Sequence, residues 1–112
     1  MKAYDYDCPI EATFEVVGGK WKASCVYYLK DGEKRFTELL EVLETISSRV
    51  LSKQLKELEE AEVVARRVLP EFPPKVIYSL TPYGQTLLPL IDKICQSGEI
   101  HMERNGKTSI FN

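Results

Sequence analysis

Residues 47–62 read SSRVLSKQLKELEEAE, a segment with the periodicity of one helix, a basic first half and an almost wholly acidic second half. Placing Arg49 at zero on a helical wheel and advancing about 100° per residue puts Ser52, Lys53 and Lys56 on the Arg49 face. Leu51, Leu55 and Leu58 fall opposite. Ser47 stands where a helix cap belongs. One face packs and the other presents hydroxyls and cations, which leaves two readings. Charges on an exposed helix are commonly a solvated surface with i,i+4 pairs, here Lys53–Glu57 and Lys56–Glu60, each worth about 0.3 kcal/mol. Alternatively, short hydroxyls and long cations in an N-terminal half suit base edges and phosphates in a major groove. The positive dipole end, at Ser47 and Ser48, suits phosphate too. On that reading Glu57, Glu59, Glu60 and Glu62 mark where the helix must leave the groove. The helix by itself leaves the two readings level.

The next segments break the tie. VVARRVL (63–69), PEFPPK (70–75) and VIYSL (76–80) read as a β-hairpin with a tip stiffened by proline. Arg66, Arg67 and Lys75 sit on it, and a purely structural hairpin has no need of three cations, whereas a wing against flanking backbone or minor groove does. Arg35, ahead of the preceding helix, joins the candidate set.

Outward from this centre, Cys8-Pro9 opens a helix carrying Ile10, Phe14 and Val17, which Gly18-Gly19 ends. A second helix starting near Lys20-Trp21 turns Trp21, Cys25, Tyr28 and Leu29 inward and stops at the turn KDGEK. RFTELLEVL (35–43) is a third, short helix with Thr37 as its cap and Phe36, Leu39, Leu40 and Leu43 on its apolar face. After the hairpin, TPYGQTLLPLIDKICQSG (81–98) is capped by Thr81, has Pro82 at its first position and runs on as one long helix. Leu87, Leu90, Ile91 and Ile94 share one face of it, and Pro89 should bend it. The stretch from about His101 reads as a poorly ordered tail. This order predicts an α+β, mainly α domain spanning residues 1–112: a winged helix-turn-helix with a two-stranded β-wing and N- and C-terminal dimerisation helices. The body is small, so a second copy of the chain is the simplest cover for the apolar faces of the first and last helices.

A chain of 112 residues with 44% apolar and 29% charged residues suits one soluble domain. The net charge of −2 hides segregation by segment, and a polyanion meets a face rather than an average. No run approaches the roughly 20 apolar residues of a membrane span, so a cytoplasmic location is expected. Cys8, Cys25 and Cys95 form no close pair, which leaves no metal-ligand or C-x-x-C spacing. With no phosphate loop, nucleophile elbow or partnered histidine, neither catalysis nor a cofactor is expected.

The segments CPIEATFEVVGGKW, RFTELLEVLETISSRVLSKQLKELEEAEVV and PEFPPKVIYSLTPYGQTLLPLI together resemble the HxlR-type winged helix-turn-helix transcriptional regulators, relatives of the MarR group, across about residues 8–98. The resemblance implies a homodimer on a pseudo-palindromic double-stranded DNA operator, with the two reading helices about 34 Å apart. It implies that the helix with Ser48, Arg49, Ser52 and Lys53 reads the major groove. It assigns Arg66 and Arg67 to the wing, and Ile10, Phe14, Leu87, Leu90, Ile91 and Ile94 to the dimer. A repressor is the expected sense, although operator position sets it. Ala61-Glu62-Val63 stands where members commonly have Ala-Gly-Leu, which predicts a less sharp helix end. Several members sense electrophiles or oxidants through the cysteine that matches Cys8. The helix dipole favours its thiolate, while Asp5, Asp7 and Glu11 oppose it, so a small fixture under the dimer helices is the rival reading. Cys25 is expected in the core and Cys95 near a partner chain. The competing function class is a winged helix used as a protein-interaction module without specific DNA binding.

Overall fold

A computed structural model describes residues 6–111; Asp5, one of the acids expected beside Cys8, lies outside them. The elements run α1 (Pro9–Val17), α2 (Lys22–Tyr28), β1 (Lys34–Arg35), α3 (Phe36–Val42), α4 (Ser48–Glu60), β2 (Val64–Leu69), β3 (Lys75–Leu80), α5 (Pro82–Gln85) and α6 (Leu88–Arg104). No helix of the described residues is long and apolar enough to cross a membrane.

Helix α4 forms as its pattern dictates. The Ser47 hydroxyl accepts the Val50 N–H at 3.1 Å, which satisfies one of the donors a helix start leaves open. Leu51, Leu55 and Leu58 are fully buried with Leu39, Val26 and Cys25 in one core. Burying a leucine side chain is worth roughly 1.5–3 kcal/mol, so three of them on one stripe fix the orientation of the opposite face. The end of α4 is as sharp as a glycine would make it. Glu62 takes φ 63°, Val63 N–H bonds back to the Leu58 carbonyl at 3.0 Å, and Glu62 N–H bonds to Glu59 at 2.9 Å. That is a closed C-terminal cap with a glutamate in the left-handed region, and it corrects the expectation of a softer end.

The two-stranded wing, β2 with β3, belongs to a three-stranded antiparallel sheet of order β1-β3-β2. Val64 pairs with Leu80 and Leu69 with Lys75 at the two ends of the β2–β3 ladder, while Lys34 and Arg35 pair with Tyr78 and Ile77. Three further corrections concern helix ends. Helix α3 is capped by Arg35, whose N–H donates to the Glu38 carboxylate at 2.8 Å, so Thr37 lies inside the helix. Pro89 does not bend a long helix. The chain breaks after α5, and Pro89 sits in the first turn of α6, where its missing N–H costs nothing. The segment beyond His101 is structured: α6 continues to Arg104, and the chain folds back so that Phe111 stacks on Tyr27 with ring centroids 4.2 Å apart.

Thr81 ties the wing to α4. Its hydroxyl donates to the Glu62 carbonyl at 2.6 Å and accepts the Gly84 N–H at 2.9 Å, while its own N–H donates to the Val63 carbonyl at 3.0 Å. Gly84 is buried against this junction, where a Cβ would collide with the Val63 carbonyl.

Candidate nucleic-acid interface

The leucine stripe of α4 faces the core, so its other face is delivered to solvent. Ser47, Ser48, Arg49, Ser52, Lys53 and Lys56 are all exposed. Among the described residues, Arg49, Lys53 and Lys56 form no ion pair. The pairs a solvated surface would make, Lys53–Glu57 and Lys56–Glu60, are absent. Glu57 instead holds Lys22 of α2 at 2.9 Å, and Lys22 also donates to the Glu15 carbonyl at 3.4 Å. The acidic half of α4 thus has an additional role, because one of its carboxylates fastens the helix to the core helices.

The hairpin distributes its cations differently. Successive residues of a strand point to opposite sides, so Arg66 and Arg67 diverge. Arg67 bonds Glu33 at 2.8 Å, with both side chains more than half exposed, and Lys75 pairs with Glu71 at 3.5 Å. Arg66 forms no ion pair among the described residues. It shares a groove of about 400 Å³ with Arg35, Ser52, Pro74 and Lys75, lying between α4, the start of α3 and the wing. Thr37 lines the same groove. Its sequence position suits a cap, and nothing in the sequence places it beside Ser52 and Arg66. The groove thus joins residues from four separate segments into one cationic, hydroxyl-bearing strip. Lys20 and Lys30 stand apart from it, lying over the rings of Trp21 and Tyr27 at 4.9 and 4.0 Å.

The candidate dimer residues divide. Ile10 and Phe14 are 67% and 64% exposed and Ile94 is 41% exposed, an unusual outlay of apolar surface for two short helix faces. Leu87 and Leu90 are partly covered. Ile91 is 2% exposed and packs in the core of its own chain, so it does not belong to that surface. The candidate face that remains is the exposed side of α1 with the exposed ridge of α6.

The three cysteines occupy three environments. Cys8 is exposed at the N-cap of α1, its side chain making no capping bond. Within its own chain it is therefore not a covered fixture. Cys25 is buried, and burial pushes its thiol up to about 12. Cys95 is half-buried beside a cavity of about 420 Å³ that Tyr27, Ile91, Ile94 and Phe111 also line. Burial first, then the carboxylates of Glu99 and Asp92, raise its pKa, with Lys30 opposing. Both groups are thereby held toward the thiol, the unreactive form.

Comparison with known proteins matches residues 16–106 to the HxlR-like helix-turn-helix family. The HTH-type transcriptional regulator YdeP of Bacillus subtilis (strain 168) is 45% identical over 100 residues, covering 89% of this chain and 78% of YdeP. The solved structure of the redox regulator HypR in its oxidized form is 46% identical, covers 82% of this chain and 95% of HypR, and superposes with a TM-score of 0.79. The reduced form of the regulator YodB from B. subtilis is 41% identical, with 81% of this chain and 90% of YodB covered and a TM-score of 0.71.

Proposed function

This chain belongs to the HxlR-like helix-turn-helix family, is a helix-turn-helix transcriptional regulator, and we propose that it acts as a cytoplasmic homodimer on a pseudo-palindromic DNA operator. The observation that carries this reading is the exposed face of α4, where Arg49, Ser52, Lys53 and Lys56 stand without carboxylate partners among the described residues. A protein that keeps three cations unpaired on one helix, beside a groove edged by Arg35 and Arg66, has a surface matched to phosphate and base edges. In this reading the N-terminal half of α4 enters the major groove, and the wing lies along the flanking backbone. The exposed apolar faces of α1 and α6 cover each other in the dimer and set the two reading helices about one DNA turn, roughly 34 Å, apart.

Repression is the expected sense, through occupancy of a promoter. Cys8 is the proposed sensor for electrophiles or oxidants. It is the exposed cysteine of the three, it stands at the N-cap position of α1 with no capping bond to occupy its side chain, and one similar structure is of a redox regulator. A mobility-shift titration against the upstream region of its own gene tests the central reading. Specific complexes should form and weaken steeply with salt as counterions are released. Absent or salt-independent binding, together with a co-purifying protein partner, would favour the interaction-module class instead. For sensing, diamide should release DNA from the wild type and leave Cys8→Ala bound; equal release from both would make Cys8 structural.

A further inference from the structure

Phe72 stands at the tip of the β2–β3 hairpin with 99% of its surface exposed, the most exposed large apolar side chain among the described residues. A phenyl ring left wholly in water contributes nothing to the core of its own chain and is free to meet a partner. Its surroundings indicate with what. Pro70, Pro73 and Pro74 flank it and fix the backbone on both sides, so the ring is presented from a stiff support and little freedom is lost on contact. Glu71, the one acid at the tip, is bound by Lys75 at 3.5 Å, which moderates its repulsion of a polyanion. Pro74 and Lys75 line the groove that also contains Ser52 of α4, Arg66 and Arg35. Phe72 lies two residues nearer the tip than Pro74, at the end of the hairpin that carries this cationic strip. A rigid apolar ring projecting past a row of cations is the form of a wedge that enters a minor groove and opens a base step.

We propose that Phe72 is such a wedge: it inserts from the minor groove against a flexible pyrimidine–purine step beside each half-site, and so reads the deformability of DNA that α4 never touches. This rests on the DNA-binding reading above and adds a second specificity element to it. The partner is double-stranded DNA, and the recognised property is the ease of unstacking at TA or CA/TG steps.

The test uses the full chain and the operator located in the titration above, with 2-aminopurine scanned through the flanks of each half-site. Wild type should brighten the probe at one flanking step and bend the duplex. Phe72→Ala should lose both effects and bind about tenfold more weakly, the scale of one lost base contact, while Phe72→Leu keeps most of each. Since the ring touches nothing in its own chain, thermal unfolding of the three proteins should coincide. If Phe72→Ala binds and bends as wild type does, or loses affinity equally on operators with and without a flexible flanking step, the wedge is overturned while the regulator reading stands. If wild type itself binds no DNA specifically, the regulator reading fails first and the wedge with it.

Discussion

Arg49, Lys53 and Lys56 on α4 and Arg66, Arg67 and Lys75 on the hairpin are two sets of three cations that differ in all but Arg66, which like the first set forms no ion pair among the described residues. The first set has no carboxylate partner among the described residues. In the second, Arg67 is held by Glu33 at 2.8 Å and Lys75 by Glu71 at 3.5 Å. A phosphate meeting α4 finds ready charge, whereas one meeting Arg67 must first displace a carboxylate from the same chain. Counting basic residues along a sequence treats the two sets as equal. The difference lies in partners that sequence distance conceals, since Glu33 and Arg67 are 34 residues apart.

The contrast can be broken in several places. The largest effect should come from Leu55→Ala, which empties a fully buried site beneath the cationic face and should lower unfolding stability by about 2–5 kcal/mol in urea denaturation. DNA affinity should fall only as far as the folded fraction does; an affinity loss in fully folded protein would mean the two faces of α4 are not separable. Next, Arg49→Ala should cost about 1–3 kcal/mol in operator affinity, concentrated on the cognate sequence, and an equal loss on every sequence would demote it to a phosphate contact. Glu62→Gly should raise stability by about 0.5–1 kcal/mol, because glycine takes the left-handed conformation without the Cβ penalty yet adds freedom to the unfolded chain. A fall in melting temperature would show that the glutamate side chain earns its place there. Smallest, Glu33→Gln should tighten DNA binding by under about 1 kcal/mol, since an exposed pair is weak. It should also steepen the salt dependence, and Arg67→Ala should abolish that gain. No change in slope would mean that Arg67 meets no phosphate.

The sequence carried most of what periodicity and caps can carry. Leu51, Leu55 and Leu58 recur at helical spacing because one face of α4 is buried, and Ser47 announces its start by chemistry that acts within one turn. The β2–β3 hairpin was legible from β-branched runs on either side of prolines. What escaped depends on contacts between distant segments. Strand β1 is two residues long, too short for any alternation, and exists because β3 offers it an edge. Thr37 has the side-chain chemistry of a cap, while the actual cap works through Glu38 reaching back to the Arg35 N–H. Two prolines seven positions apart, Pro82 and Pro89, suggested one bent helix; each in fact starts its own, since Pro is most at ease in a first turn. Of the candidate interface, the exposure of the α4 face follows from the wheel. The neutralisation of Arg67, the retreat of Ile91 into the core and the isolation of Phe72 at the wing tip required the fold.

The Thr81 clamp has a mechanical corollary. Its hydrogen bonds to the Glu62 and Val63 carbonyls and from the Gly84 N–H weld the exit of α4 to the root of the wing, so α4 and the wing behave as one jaw of a caliper with a preset gauge. In the proposed dimer, any tolerance for operators of unequal half-site spacing would then reside in the hinge between two such jaws, where one copy of the chain would meet the other.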